Sequence, residues 1–230
     1  MTEEMGSDIR ESADAKTYWR STDCMGLGYG GGVPYYADTV SSIVSLLSPA
    51  SVFEFGCNSG RNLDLIAKKS ELTAVSGIDI NEASIKYGVE HYGLDLRVGD
   101  ELALDDYPDN RWDLVFTISV LDHIPDPVAT CTELNRIAGR YLLFCEPCVH
   151  GGEGRIDGEH AEGDVSKTAP FSYYHDYYRI FRELSLTRVL DIALPTSCHS
   201  VGMSYRLMLC AKGSLVMENL EDLPGTLLAT

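Results

Sequence analysis

Positively charged residues are scarce in this sequence. Lys and Arg number 18 in a chain of 230 residues, against 35 Asp and Glu, and the formal net charge at pH 7 is −17. Such a charge repels polyanions, and no cluster of Lys or Arg reverses the field locally. The composition therefore disfavours nucleic acid as a substrate or partner, and we expect the protein to bind none.

The sequence also lacks a long apolar run. A membrane-spanning helix needs about 20 predominantly apolar residues, and no segment approaches that length. The first residues, MTEEMGSD, are acidic, whereas a secretory signal begins with basic residues. Together these features predict a cytoplasmic protein that is not attached to a membrane.

Cysteine occurs seven times, an odd number that does not suit a disulfide framework. Cys145 and Cys148 form a C-x-x-C spacing, but no second pair completes a tetrahedral zinc site. The pair also ends a predicted strand, whereas a redox C-x-x-C opens a helix that lowers the pKa of its thiol. We therefore expect neither a metal nor a disulfide.

Short apolar runs alternate with amphipathic helical stretches from Ser51 onward. This alternation is typical of parallel strands joined by crossover helices, and it predicts an α/β fold with a doubly wound, seven-stranded, mostly parallel sheet. The predicted strands span 51–55, 74–78, 95–98, 112–118, 141–145, 186–193 and 203–211. The predicted helices between them span 61–69, 81–92, 127–138 and 173–184.

The whole chain, residues 1–230, is long enough for one sizeable core and is predicted to form a single domain. Residues 148–170 interrupt the alternation with Gly and charged residues and predict a lid-like insertion. Two further helices, over 8–20 and 35–47, precede the sheet. The predicted parts are a helical cap over 1–48, an α/β core over 51–212 and a tail over 213–230.

The strongest motif follows the first predicted strand and reads E-F-G-C-N-S-G from Glu54 to Gly60. Its two glycines suit a tight turn in which the backbone approaches a ligand. The spacing differs from the G-x-G-x-x-G of dinucleotide folds, because no glycine places a pyrophosphate on the helix N-terminus. The motif therefore predicts a nucleotide-like ligand and disfavours an NAD-dependent oxidoreductase.

Acidic residues follow the next two predicted strands. Asp79 ends the second strand, where a carboxylate can accept hydrogen bonds from a ribose diol. Asp100 follows the third strand and can accept from an exocyclic adenine amine. Ligands of open α/β sheets bind beyond the carboxyl ends of the strands, so these residues are expected to converge on one crevice. The structural alternatives are a helix cap for Asp79 and a turn for Asp100.

With these motifs and W-D-L-V-F-T-I-S-V-L-D-H-I over 112–124, the chain resembles the class I S-adenosylmethionine-dependent methyltransferases. The resemblance implies S-adenosylmethionine as cofactor and transfer of its methyl group to a hydroxyl or amine of a small molecule, such as a sugar or another metabolite. The segment F-E-F-G-C-N-S-G-R-N-L also looks like methyltransferases of bacterial sugar, polysaccharide or secondary-metabolite biosynthesis. The cofactor-binding residues that the resemblance implies are Glu54, Gly56, Cys57, Asn58, Gly60, Asp79, Ile80, Asp100, Glu101 and Ser119.

His123 follows the fourth predicted strand and is the best candidate for a general base, because imidazole titrates near neutral pH. Asp122 is a candidate to orient it, and Glu146, after the fifth strand, is expected to border the same crevice. Further candidates for binding the methyl acceptor are His150, Tyr173 and Tyr174. A loop histidine, a solvated turn acid and core aromatic rings are the structural alternatives for these residues.

Two functions of different classes are compatible with these motifs. One is a small-molecule O- or N-methyltransferase, and the other is a noncatalytic, cofactor-binding regulatory or scaffold subunit. The intact acids at the strand ends favour the enzyme. The identity of the acceptor and the oligomeric state are left open by the sequence.

Overall fold

The computed structural model describes residues 15–23, 35–70, 72, 74–149, 171–173, 175–197 and 203–212. Of the helix predicted over 8–20, the part from residue 15 is described, and residues 15–21 are helical and are named α1. The tail over 213–230, the insertion from residue 150 to 170 and much of the cap lie outside the described residues.

Seven strands form one sheet in the order β3-β2-β1-β4-β5-β7-β6. They are β1 Ser51–Phe55, β2 Ala74–Asp79, β3 Asp95–Val98, β4 Trp112–Ile118, β5 Ala138–Val149, β6 Thr187–Ser197 and β7 Met203–Ala211. β7 is antiparallel to β5 and to β6, and the other neighbouring strands are parallel. The prediction of a doubly wound, mostly parallel sheet is confirmed.

Helices cover both faces of the sheet. They are α2 Tyr35–Leu47, α3 Arg61–Lys69, α4 Glu82–Tyr92, α5 Val128–Ile137 and α6 Tyr177–Glu183. Helices α2, α3 and α4 contribute to one buried apolar cluster, and α5 and α6 contribute to a second. All five residues of β1 are buried, as expected for a central strand covered on both faces.

Three elements differ by several residues from their predictions, and one of them is β6, which ends at Ser197 instead of residue 193. β5 begins at Ala138, which pairs with Trp112 of β4, and it continues to Val149 because it pairs with β7 from Tyr141 to Val149. Pro147 fits within it because the pairing with β4 ends at Cys145, so its missing N–H costs no ladder bond on that side. α6 begins at residue 177 instead of 173, because Asp176 caps it through a 2.9 Å bond from the Arg179 N–H.

Helix α4 packs directly on the turn that follows β1. A Cβ atom on Gly88 would lie 2.2 Å from the Ser59 carbonyl oxygen and 2.6 Å from Leu96 Cδ1, which is far inside van der Waals contact. The start of the helix is fixed by Asn81, whose side-chain oxygen accepts from the Ser84 N–H at 2.9 Å. The β2–α4 unit therefore sets the position of the turn.

We expect Gly88→Ala to lower the free energy of unfolding. Alanine is favoured over glycine in a helix by about 1 kcal/mol, but the added methyl group meets the Ser59 carbonyl, and overpacking costs about 1–3 kcal/mol. Urea denaturation measures the balance. The exposed Glu90→Ala in the same helix is the matched control and should change stability by no more than about 0.5 kcal/mol. A Gly88→Ala protein more stable than wild type would contradict the close contact.

Candidate functional site

The turn between β1 and α3 brings backbone to the carboxyl edge of the sheet. Gly56 and Gly60 both adopt left-handed backbone conformations, with φ of 73° and 75°. The N–H groups of Gly56 and Cys57 donate to the Ile78 carbonyl at 2.9 and 3.0 Å, so the turn lies across the end of β2. A Cβ on Gly56 would lie 2.3 Å from Val120 Cγ2, so only glycine lets the turn approach the end of β4 this closely.

Asp79 joins this turn to the start of α4. Its carboxylate accepts from the Asn58 N–H at 2.7 Å and the Asn81 N–H at 2.8 Å, and also bonds the Ile80 backbone. Burial raises the pKa of Asp79, and the backbone hydrogen bonds oppose that rise. A carboxylate offers about four acceptor positions, so capacity for a ligand hydroxyl remains. Ile80 is half-buried beside it.

Glu54 is buried beneath the same turn and is incompletely hydrogen-bonded. Its Oε1 accepts from Asn62 Nδ2 at 2.6 Å. Its Oε2 and the Asn62 Oδ1 are buried and have no hydrogen-bond partner among the residues that the structure describes. Burial raises the pKa of Glu54 to about 8. Buried polar atoms of this kind are expected where a polar ligand completes their hydrogen bonds.

Arg61, at the start of α3, adds a positive charge close to Glu54 and lowers the pKa of that carboxyl, opposing burial. It also hydrogen-bonds the hydroxyl of Tyr36 on α2. The turn is thus flanked by a carboxyl group, an amide, a guanidinium and a phenol. This set suits the charged ammonium and carboxylate of an amino acid.

The acids that follow β3 contact helix α1. Lys16 Nζ lies 3.2 Å from Asp100 Oδ2 and also pairs with Glu101, and Arg20 Nη2 lies 3.2 Å from the same Asp100 oxygen. Asp100 also accepts from the Leu102 N–H at 3.2 Å at the start of a 3-10 turn. The turn that was the structural alternative for Asp100 is therefore present, and the cap helix lies at this edge of the sheet.

The segment after β4 presents His123 beneath the cap. Its Nδ1 lies 3.1 Å from the Phe171 carbonyl oxygen, and because a carbonyl only accepts, the neutral imidazole carries its proton on Nδ1. The lone pair is then on Nε2, which lies 3.7 Å from Asp122 Oδ2. The Trp19 ring lies 4.5 Å from the imidazole, between ring centroids, and His123 keeps 14% of its side chain exposed. This geometry suits a general base.

The structure corrects the prediction that Glu146 borders the crevice. The residue is fully buried, and Thr117 Oγ1 donates to its carboxyl group at 2.6 Å. The N–H groups of Val120 and Leu121 donate to its Oε2 at 3.0 and 3.2 Å. Burial, followed by the charge of Asp122, raises the pKa of Glu146 to about 8. Glu146 therefore holds the segment after β4 from inside and does not meet a ligand.

Two more predictions are corrected by burial. The Cys57 side chain packs in the core, where a Cβ on Gly77 would lie 2.8 Å from the Cys57 Cβ, so only the backbone of Cys57 can contact a ligand. Tyr173 is 1% exposed, and its N–H donates to the Asp122 carbonyl at 2.7 Å. Its ring is a core residue, and its backbone ties the 171–173 segment to the end of β4.

Ser119 lies at the carboxyl end of β4 in a left-handed conformation, with φ of 54°. Its N–H donates to the Cys145 carbonyl at 3.0 Å, and its hydroxyl accepts from the Tyr205 hydroxyl at 3.0 Å. Ser119 is therefore close to the Gly56–Val120 contact, where its cofactor role was predicted. His150 and Tyr174 lie outside the described residues.

Some partners in the site have no motif in the sequence. Asn62 bonds Glu54, and Thr117 bonds Glu146, but neither residue stands at a strand end. Tyr36 and Tyr205 come from elements far apart in the chain, and their rings lie 4.9 Å apart. The position of Asn62 in the first turn of α3 was the one signal that could have identified any of them.

Cys145 and Cys148 both lie within β5, and burial raises the pKa of each thiol. A raised pKa disfavours the thiolate that redox chemistry and metal binding require. Among the described residues, no group of three or more His, Cys, Asp or Glu is arranged to hold a metal ion. In the same part of the chain, no helix has the length and apolarity needed to cross a membrane.

Comparison with known proteins adds the following. Residues 53–140 match the family model of a methyltransferase domain. No curated protein sequence matches the chain significantly. Magnesium protoporphyrin IX methyltransferase from Synechocystis PCC 6803, solved with bound SAH, is 17% identical with a TM-score of 0.65, over 87% of this chain and 99% of that one.

Two further solved structures are similar. Geranyl diphosphate methyltransferase, in complex with GPP and sinefungin, is 14% identical with a TM-score of 0.66, over 88% of this chain and 99% of that one. The (4+2)-cyclase SpnF is 13% identical with a TM-score of 0.69, over 88% of this chain and 96% of that one. These likenesses show the fold, and the presence of a cyclase among them illustrates that one fold hosts more than one reaction.

The two buried carboxyl groups predict a pH dependence of stability. The pKa of Glu54 and of Glu146 is raised from 4.5 to about 8, so each group binds its proton more tightly in the folded than in the unfolded chain. Their contribution to stability is complete below pH 4.5 and is lost as the pH rises through about 8. The free energy of unfolding should therefore fall across this window, by up to about 1.4 kcal/mol per pH unit for each group.

Urea denaturation of wild type and of a Glu54→Gln, Glu146→Gln double variant, between about pH 5 and about pH 8.5, measures this effect. The variant cannot ionise at these positions, so its stability relative to wild type should improve steadily with pH. The contributions of all other titrating groups cancel in the difference between the unfolding free energies of the two proteins. Parallel pH curves for the two proteins would contradict the neutral buried carboxyls.

Proposed function

We propose that this S-adenosylmethionine-dependent methyltransferase acts on a hydroxyl or amine of a small molecule, such as a sugar or another metabolite. The methyltransferase assignment and its cofactor rest on the family match over residues 53–140, which confirms the resemblance seen in the sequence. The observation that carries the acceptor proposal is His123, whose Nε2 lone pair lies at the end of β4 beneath the cap.

The residues at the carboxyl edge fit the cofactor at its amino-acid and ribose parts. The unpartnered oxygens of Glu54 and Asn62 suit its ammonium group, and Arg61 suits its carboxylate. Gly56 lets the backbone approach, and Asp79 keeps acceptor capacity for a ribose hydroxyl. For the adenine and the methyl-donating end, we propose Ile80, Asp100, Glu101 and Ser119, together with the backbone of Cys57, Asn58 and Gly60.

When bound, S-adenosylmethionine supplies a methyl group already activated by its positively charged sulfur. The remaining work of the protein is to orient the acceptor and to remove its proton. The Nδ1–H bond to the Phe171 carbonyl holds the imidazole of His123 in one tautomer, so that Nε2 is the accepting atom. Asp122 Oδ2, 3.7 Å from Nε2, would stabilise the imidazolium that proton uptake produces. A general base of this kind contributes about 10²–10⁴-fold in rate.

The surroundings of His123 favour a small acceptor. Trp19 lies against the imidazole, and the backbone carbonyls of Trp19 and Thr22 accept from Asn81 Nδ2 at 2.8 and 2.9 Å. The cap therefore covers the space above the proposed base. The net charge of −17 adds a field that disfavours polyanionic acceptors. We propose the cytoplasm as the compartment, and a single domain over the whole chain.

A noncatalytic cofactor-binding subunit is the second candidate. The observation that favours it is the pairing of Asp100 with Lys16 and Arg20, because these cations compete for a carboxylate that the proposed site needs. Both candidates require cofactor binding. They differ in whether a methyl group is transferred.

Cofactor binding is tested by thermal unfolding and calorimetry. S-adenosylmethionine and S-adenosylhomocysteine at about 100 times the dissociation constant should each add about 2.7 kcal/mol to stability, whereas NAD should add nothing. Asp79→Asn should weaken binding about 10–100-fold, because a charge-assisted hydrogen bond contributes about 1.5–3 kcal/mol. The exposed Asp95→Asn on the neighbouring strand is the control and should bind as wild type. Absence of stabilisation by both sulfur ligands would refute the cofactor site.

Catalysis is tested with a panel of sugar, phenol and amine acceptors. His123→Ala should lower kcat about 10²–10⁴-fold for a hydroxyl acceptor while leaving the affinity for S-adenosylmethionine unchanged. His91→Ala, an exposed histidine on α4, is the control. Full activity of His123→Ala would remove the residue as the base. A wild-type protein that binds the cofactor but methylates nothing would favour the noncatalytic subunit.

A further inference from the structure

The segment from Ser119 to His123 depends on β5 for its conformation. The N–H groups of Val120 and Leu121, which directly follow Ser119, donate to the buried carboxyl group of Glu146 on β5. Within the segment, the His123 N–H donates to the Val120 carbonyl at 3.0 Å, closing a short 3-10 turn. The position of His123 therefore depends on Val120, whose N–H is hydrogen-bonded to Glu146.

Glu146 is itself fixed on its other side by β4. Thr117 Oγ1 lies 2.6 Å from Oε1, and both groups are fully buried. Three hydrogen bonds from two elements thus converge on one carboxyl group that has no access to solvent. A buried group held in this way transmits its position to its partners, because side-chain rearrangement in a close-packed interior is costly.

Through Val120, Glu146 also affects the turn between β1 and α3, where the cofactor is proposed to bind. Val120, whose N–H bonds Glu146, packs against Gly56 so closely that a Cβ there would lie 2.3 Å from Val120 Cγ2. Displacement of Val120 would therefore move both the base and the wall of the turn. Glu146 lies behind these two parts of the site and contacts neither ligand.

We propose that Glu146 is a positioning residue, whose carboxyl group fixes the tautomer and place of His123 and the Gly56–Val120 contact. This inference rests on the proposed function for its effect on turnover. Its effect on the imidazole of His123 and on cofactor affinity does not require turnover.

The surroundings of Glu146 agree with a neutral group. The titratable side chains whose charges act on it come from three elements and the segment after β4: Asp122, Cys131, Cys145, Cys148 and Tyr177. None of these residues carries a positive charge. Burial and the charge of Asp122 therefore raise the pKa of Glu146, and the hydrogen bonds from Thr117, Val120 and Leu121 oppose that rise without cancelling it.

The experiment compares Glu146→Gln with Glu146→Ala. Glutamine has nearly the shape of the carboxyl group and keeps an oxygen that can accept from the Val120 and Leu121 amides. Glu146→Gln should keep kcat within about threefold of wild type, whereas Glu146→Ala should lose about 10²-fold, the usual cost of a displacement of about 1 Å at a reacting group. The affinity for S-adenosylmethionine should fall in the alanine variant alone.

The decisive readout is the side-chain ¹⁵N spectrum of histidine-labelled protein, with the His123 signal assigned by its loss in His123→Gln. Wild type and Glu146→Gln should show the Nδ1–H tautomer, and Glu146→Ala should show a mixture of tautomers. Ile43→Ala in α2 is the control, since it removes a buried side chain from the other apolar cluster, which includes no residue from Ser119 to His123, and lowers stability. Its His123 spectrum should match wild type.

Thr117→Val serves if Glu146→Ala does not fold, because it removes one hydrogen bond to Glu146 and keeps the side-chain shape. It should shift the His123 spectrum in the same direction and lower kcat less than the alanine variant does. A wild-type His123 spectrum and wild-type cofactor affinity in both Glu146→Ala and Thr117→Val would overturn the proposal. A Glu146→Gln spectrum as disturbed as that of Glu146→Ala would overturn the expectation that an accepting oxygen behind Val120 and Leu121 is enough to position His123.

Discussion

The turn between β1 and α3 leaves no room for a side chain where it meets its neighbours, and the site depends on this constraint. A Cβ on Gly56 would meet Val120, one on Gly60 would lie 2.8 Å from Leu96, and one on Gly88 would meet the Ser59 carbonyl. These contacts fix the end of β4, strand β3 and helix α4 against one turn. Because a packed interior yields little, the positions of the proposed catalytic and binding groups on those elements follow from the turn.

Two buried carboxyl groups with similar pKa values have different parts in this arrangement. Glu146 receives hydrogen bonds on both oxygens and faces no ligand, so its burial serves the conformation of the segment after β4. Glu54 receives one bond from Asn62 and keeps a buried oxygen without a partner among the described residues. An unmet hydrogen-bonding group is costly in a folded protein unless a ligand meets it. The state of hydrogen bonding, more than the pKa, separates a binding acid from a structural one.

The sequence predicted the strands and the acidic residues at strand ends, because these features follow from local patterns along the chain. The bounds of β1, β3, β4 and β7 agree with the structure, because each apolar run is enclosed by clear turn signals. The acids at the ends of β2 and β3 could be chosen because parallel strands bring their carboxyl ends to one edge. The burial of Glu146 could not be predicted, since it depends on the pairing of β5 with β7 beyond the end of β4, which no local pattern reports. Tyr173 was misplaced for a similar reason, because Asp176 starts α6 later than the aromatic cluster suggested.

Helix α1 makes the two ends of the crevice depend on each other. Lys16 and Arg20 pair with Asp100 at the proposed adenine end, and Trp19 covers His123 at the other end. The pair with Arg20 is half-exposed, and such pairs contribute at most about 1 kcal/mol. A ligand amine at Asp100 would compete with Lys16 and Arg20, while the bonds from Asn81 to the Trp19 and Thr22 carbonyls keep the helix attached. Helix α1 and the residue that follows it therefore contact the sheet edge at two points, the acids after β3 and the start of α4, so that a change at one point is passed to the cover of His123 through a single short helix.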